Sequence, residues 1–124
     1  MHKSKLAGFI IDCETADLRA AALFWSSALG LPTRALPGVE GERYVRLEDP
    51  HLHIEVQRVA HPSRVHLDIE TDDVEAEVRR LEALGAQRVS QVGTWWVMEA
   101  PTGQRFCVVR ASSGDFAATA NAWP

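Results

Sequence analysis

Two stretches of alternating residues carry most of the side chains able to do chemistry. In HLHIEVQRV, His53, Glu55 and Gln57 fall at every second position opposite Leu52, Ile54 and Val56, so they share one face of a strand. In RVHLDIE, His66, Asp68 and Glu70 do the same opposite Val65 and Leu67. An imidazole near a carboxylate is the raw material of general acid–base catalysis and of metal ligation. Cys107, between Phe106 and Val108, adds a thiol. Trp95 and Trp96 are adjacent on a strand and project to opposite faces, so one can be core while the other stacks on a ligand, and register decides which.

Each of these residues also has a plain structural reading. A lone strand histidine more often packs than reacts, and a cysteine between Phe and Val more often behaves as a small buried hydrophobe. Thiol reactivity needs an electropositive setting, which His66 is the candidate to supply. His51 and His61 border turns and read as solvated, whereas His53 can join Glu55 and Gln57. Cys13 and Cys107 are widely separated and outside any CxxC pattern, which indicates free thiols rather than a zinc knuckle or a disulfide scaffold.

The elements that must position these groups repeat. Leu6 to Asp12 is an apolar run of strand length, followed by a helix with Asp17 as N-cap and Gly30 and Pro32 at its end. Leu18, Ala22, Trp25 and Leu29 form its buried stripe. GVEGE supplies turn chemistry, and RYVRLED and HLHIEVQRV alternate as strands. After the joining segment AHPS the order recurs. RVHLDIE is a strand, and TDDVEAEVRRLEALGA is a helix with Asp72 and Glu75 as a capping box. Val74, Val78, Leu81 and Ala83 or Leu84 line its buried face, Gly85 stops it, and Glu75 and Arg79 form an i,i+4 pair. QRVSQV, TWWVME and RFCVVRA follow as strands. An offset of 55 residues takes Gly30 to Gly85, Asp17 to Asp72 and Ile11 to His66. The expectation is an α+β fold of two tandem βαβββ modules, module one over 1–59 and module two over 64–111. The tail 112–124 has no firm pattern and reads as docked on a neighbouring subunit or loose.

Bulk properties bound the partners. The 124 residues suit one compact domain or two half-size modules, and 46% hydrophobic with 24% charged residues lies far from the composition of disorder. A formal charge of -4 argues against a nucleic-acid surface, which rests on clustered Lys and Arg. The longest apolar run, Ala20 to Trp25, is too short to span a bilayer, and the N-terminus reads as no secretory signal, so the chain reads as cytoplasmic.

The run ALFWSSALGLP, then RVHLDIETDDVEAEVRRLEALGA and WWVMEAPTGQRFCVV, resembles the glyoxalase, bleomycin-resistance and extradiol-dioxygenase (vicinal oxygen chelate) superfamily, in its glyoxalase-like branch. The resemblance covers the chain up to Ala111. It implies one glyoxalase-like domain over 1–124, whose mixed sheet curls into a barrel-like cup with the helices outside. It also implies a divalent metal inside the cup, typically held by two His or Gln and two Glu. His66 occupies one ligand position, and Glu55 or Gln57 can fill another. The first strand has no ligand between Gly8 and Ile11, and Cys107 replaces the final glutamate. Glu55, His66 and Cys107 would suit zinc, with three protein ligands and water, and would suit magnesium poorly.

These departures favour a glyoxalase-like protein that binds a small, partly aromatic organic molecule in the cup without a catalytic metal. His53, Gln57, His66, Asp68, Trp95, Trp96 and Cys107 are the expected ligand contacts. The alternative is a metal-dependent lyase or isomerase of glyoxalase type, with Glu55 or His66 as the catalytic proton carrier and Glu55, His66 and Cys107 on the metal. Extradiol cleavage is disfavoured, because no 2-His-1-carboxylate set can be assembled. Whether the chain is an enzyme is left open by its residues. The expected partners are a small-molecule ligand and a second copy of the chain in a homodimer, with neither nucleic acid nor membrane.

Overall fold

The computed structural model describes residues 1–124. Its elements follow the order β1 (His2–Glu14), α1 (Leu18–Leu29), β2 (Thr33–Ala35), a short 3-10 turn at Gly38–Glu42, β3 (Tyr44–Glu48) and β4 (His53–Val59). They continue with β5 (Arg64–Thr71), α2 (Val74–Ala83), β6 (Gln87–Val92), β7 (Trp95–Glu99), β8 (Arg105–Arg110), α3 (Phe116–Thr119) and β9 (Asn121–Trp123). The class is α+β, and βαβββ occurs twice. No helix is long and apolar enough to cross a membrane. The chain divides into two compact units, Gly8–Val65 and Met1–Ala7 together with His66–Pro124.

In the first unit the strands lie in the order β2-β3-β4-β1, with β4 parallel to β1 and the other pairs antiparallel. In the other the order is β6-β7-β8-β5, with β8 parallel to β5, so the pairing scheme repeats. Each set of four is an open sheet with a helix on one face. The core of the first unit is Ile11, Ala22, Leu47, Ile54 and Val56, with Leu18 and Trp25 packed against it. The core of the second is Val78, Leu81, Met98 and Val108, joined by Ile69, Val74 and Trp96. Alternation then sends every second side chain to the opposite, helix-free face.

The helices follow their periodicity except in the final turn. Leu29 and Leu84 are 45% and 66% exposed, because the last turn of each helix runs beyond the buried cluster beneath it. Asp17 caps α1 as expected, accepting from the Ala20 N–H at 3.1 Å. For α2 the cap is Asp73, one residue later than the spacing predicts. Thr71 Oγ1 accepts from the Asp73 N–H at 3.1 Å, Asp73 accepts from the Ala76 N–H at 3.1 Å, and Asp72 turns aside to accept from the Lys3 N–H at 2.8 Å. Glu75 therefore forms no box with Asp72. It pairs instead with Arg79 at 3.4 Å and Arg88 at 2.6 Å. Matching Asp17 to Asp73 gives an offset of 56 at the strand–helix junction, which takes Ile10 to His66 and Asp12 to Asp68.

The tail is neither loose nor waiting for a neighbour. β9 pairs antiparallel with the start of β1, matching His2 to Trp123 and Ser4 to Asn121. The Trp123 indole N–H donates to Ser4 Oγ at 2.8 Å, and the Arg80 guanidinium lies 3.9 Å from the Trp123 ring centre. Lys5 Nζ donates to Asp115 at 2.8 Å and to Thr119 Oγ1 at 2.7 Å. Composition alone hides this arrangement, because the tail is secured by single polar anchors rather than by a periodic apolar stripe.

Beneath the tail sits Glu77, fully buried on α2. Arg80 donates to both its oxygens at 2.8 Å, and His2 Nε2 lies 2.8 Å from Oε1. Burial pushes the Glu77 carboxyl up, but hydrogen bonds from Arg80, His2 and Ser4 outweigh it and hold the group below the usual glutamate value. A carboxylate with a lowered native pKa contributes stability above its unfolded pKa and loses it as pH falls through the native value. Glu77→Ala is expected to cost about 3–5 kcal/mol in urea unfolding at neutral pH, the penalty for stranding buried charged partners. Glu77→Gln should flatten the acid limb of the stability–pH curve below the ordinary glutamate range.

Candidate functional site

The strand β5 carries His66, Asp68 and Glu70 on its helix-free face, because Ile69 between them packs into the core under α2. The parallel register of β5 with β8 sets Asp68 opposite Cys107, and β7 sets Val97 opposite Cys107 from the other side. One ligand atom from each of His66, Asp68 and Cys107 lies within 4.8 Å of the others. His66 Nε2 is 3.5 Å from Asp68 Oδ1, an ion-pair distance if the imidazole is protonated and too long for a strong hydrogen bond. Asp68 is 9% exposed, and its Oδ1 is buried with no hydrogen-bond partner. Glu70, also on this face, is engaged by the tail through Oε1, which accepts from the N–H groups of Ser112 and Ser113 at 3.2 Å and from Ser113 Oγ at 2.8 Å.

Register also separates the two tryptophans. Trp96 stands opposite Val108 and joins the core under α2, with the Arg88 guanidinium 5.0 Å from its ring centre. Trp95, two residues before Val97, therefore lies on the face of Cys107. Of the two thiols, Cys13 packs into the core of its unit, and burial pushes it up, away from reactivity. Cys107 is the thiol with an imidazole for company.

The helix-free face of module one holds the other expected residues. His53, Glu55 and Gln57 alternate on β4, with His53 Nε2 3.3 Å from Glu55 Oε1 and Gln57 Nε2 donating to Tyr44 Oη at 3.0 Å. The first-strand position that corresponds to His66 at the offset of 56 is Ile10, an apolar residue 2% exposed, and Gly8 precedes it on the same face. A Cβ at Gly8 would collide with the His53 carbonyl, so no residue with a side chain fits there. The carboxylate that joins His66 and Cys107 is Asp68, whereas Glu55 belongs to the other unit.

Two residues on module one's face escaped the sequence reading. Asp12 is 2% exposed, with Arg64 Nε 3.6 Å and His61 Nε2 3.9 Å from its Oδ2. The signal for it was the repeat itself, because Asp12 corresponds to Asp68 once the offset is 56. His61, expected to be solvated, thus borders a buried carboxylate while its side chain stays 39% exposed. Arg46 lies across from Glu55 in the β3–β4 register, and its only sequence signal was alternation with Val45 and Leu47.

An open groove of about 790 Å³ lies elsewhere, at the start of α2, lined by Thr71, Asp72, Val74, Gln91, Trp96 and Arg110 among others. Its acidic residues are already spent on backbone, Asp72 on the Lys3 N–H and Asp73 on the α2 cap. The cluster of His66, Asp68 and Cys107 is the stronger candidate, because it contains a buried acceptor lacking a donor. As a donor set, one nitrogen, one oxygen and one sulfur fit zinc and not magnesium. Ligand atoms in a tetrahedral zinc centre stand about 3.5 Å apart, so modest rotamer changes would close the set on an ion.

The comparisons place this geometry in a class. A structure of a hypothetical protein from Bacillus halodurans C-125 is 13% identical, covering 90% of this chain and 97% of its own, with a TM-score of 0.64. Methylmalonyl-CoA epimerase in complex with methylmalonyl-CoA and ammonium is also 13% identical, covering 89% and 96%, with a TM-score of 0.60. A glyoxalase/bleomycin resistance protein/dioxygenase superfamily member from Vibrio splendidus 12B01 is 17% identical, covering 85% and 98%, with a TM-score of 0.52. Such likeness shows a shared fold. The glyoxalase-like domain model matches residues 8–109, and the chain belongs to that family. No curated protein matches it.

Because the buried Asp68 oxygen has no donor, the cluster costs stability in the unliganded protein. Asp68→Asn is expected to raise unfolding free energy by about 1–2 kcal/mol in urea, as relief of an unsatisfied buried charge predicts. An unchanged or lowered midpoint would count against the site's being strained for binding.

Proposed function

We propose that this glyoxalase-like protein binds a small, partly aromatic organic molecule on its helix-free strand faces, anchored by His66, Asp68 and Cys107. The observation that carries the reading is the Asp68 oxygen, buried and without a hydrogen-bond donor, beside an imidazole and a thiol. A ligand hydroxyl or N–H would complete it. Trp95, on the face of Cys107, offers a ring for stacking. The helix-free face of module one carries polar side chains of its own, His53 and Gln57. The epimerase of the same fold is seen with methylmalonyl-CoA, which supports an organic ligand as the kind of partner this architecture accommodates. Homodimerisation belongs to the reading, supported by Leu6 and Leu67, which are 51% and 52% exposed.

A second reading, a metal-dependent lyase or isomerase, is favoured by one observation, the convergence of N, O and S donors within 4.8 Å. A zinc-type ion bound there would supply Lewis acidity toward a carbonyl oxygen. His66, Asp68 and Cys107 would hold it. Glu55, the proton carrier suggested by the sequence, lies in the other unit, paired to His53.

Elemental analysis of protein purified without added metal separates the two readings, followed by thermal shift with divalent ions and with a library of small aromatic compounds. The expected result is substoichiometric metal and a compound that raises the midpoint in wild type but not in His66→Ala. Stoichiometric zinc, nickel or iron that is lost in His66→Ala would replace the metal-free reading with the second one.

A further inference from the structure

We propose that the helix-free face of module one recognises the carboxylate of a small organic acid, with Arg46 as its anchor. This deepens the ligand-binding reading and rests on it. Arg46 sits between Val45 and Leu47, whose side chains pack into the core under α1, so the guanidinium projects to the opposite face with Tyr44, Glu55 and Gln57. Directly across the β3–β4 ladder stands Glu55, and the ordinary outcome of that register is a cross-strand ion pair. The pair does not form. Glu55 engages His53 at 3.3 Å, and Glu48, the other nearby strand carboxylate, engages Arg34 at 3.4 Å. Arg46 has no carboxylate oxygen within the 4.0 Å of a salt bridge, and its Nε is buried without a hydrogen-bond acceptor.

An arginine cannot shed its charge to relieve such a situation, because its guanidinium stays protonated at every accessible pH. A buried cationic donor therefore calls for an acceptor from outside, and the planar fork of the guanidinium matches a carboxylate with two parallel hydrogen bonds. The surroundings select the charge of the guest. Glu55 and the buried Asp12 share this face, and Arg34, directly across the β2–β3 ladder, is engaged by Glu48, so Arg46 is the guanidinium here without a carboxylate and calls for an anionic guest. Gln57, donating to Tyr44 Oη at 3.0 Å, fixes the two polar neighbours that flank the guanidinium.

The test uses matched acid and amide pairs: benzoate with benzamide, phenylacetate with phenylacetamide, and succinate with succinamide. Each is titrated by calorimetry into the intact wild-type chain, Arg46→Gln and Arg46→Lys. At least one acid should bind wild type about tenfold or more tightly than its amide, a difference set by charge-assisted hydrogen bonds. Arg46→Gln should abolish that preference while leaving amide binding intact. Arg46→Lys should retain part of it, and added salt should weaken the acid alone. Circular dichroism confirms that each variant is folded, and Arg46→Lys with the salt dependence carries the test should Arg46→Gln unfold. Amides that bind as tightly as acids, or acid binding unchanged in Arg46→Gln, would overturn the role of Arg46 and leave the ligand-binding reading standing. Failure of every acid and amide to bind would sink both.

Discussion

Each sheet of this protein is covered by a helix on one face only, and everything of chemical interest follows from that constraint. A strand alternates its side chains with a period of two. The half that meets α1 or α2 must be apolar, as Leu47, Val56, Met98 and Val108 are, all fully buried. The other half is released from that demand and carries His53, Glu55, Arg46, His66, Asp68 and Cys107. The parallel pairs β1–β4 and β5–β8 then decide which of these residues stand opposite one another, and so bring Asp68 against Cys107.

Two buried carboxylates show how the molecule distributes its polar groups. Glu77 is inaccessible and satisfied by Arg80 and His2, and it ties both chain ends to α2 through Ser4 and Trp123. Asp68 is nearly as buried, yet one of its oxygens has no hydrogen-bond donor. The first arrangement is structural, because its partners come from the chain itself. The second leaves a buried acceptor without a partner, which is the observation the proposed ligand site rests on.

Membership of the glyoxalase-like family accounts for the scaffold, while the departures within it account for the particular site. On β1 the position that corresponds to His66 is the apolar Ile10. On β8 Cys107 stands where the sequence resemblance implies a glutamate. Both changes move the donor set away from hard, oxygen-loving ions and toward either zinc or an organic guest. One fold hosting many chemistries is the expected pattern, so the site rather than the fold carries the functional argument.

The amino-acid sequence alone determined the two βαβββ repeats, the helix faces and the alternation that puts His66 with Asp68 and His53 with Glu55, because these depend on local periodicity. It misplaced the α2 cap by one residue. Two adjacent aspartates are equivalent as caps until the end of β5 and the Lys3 backbone claim one of them. Only the tertiary structure decided that Trp95 and not Trp96 shares a face with Cys107. It alone decided that the tail is a strand on β1, and that Arg46 fails to pair with the glutamate across from it. Those outcomes depend on inter-strand register and on competition among distant partners, and neither is encoded in the spacing of neighbours along the chain.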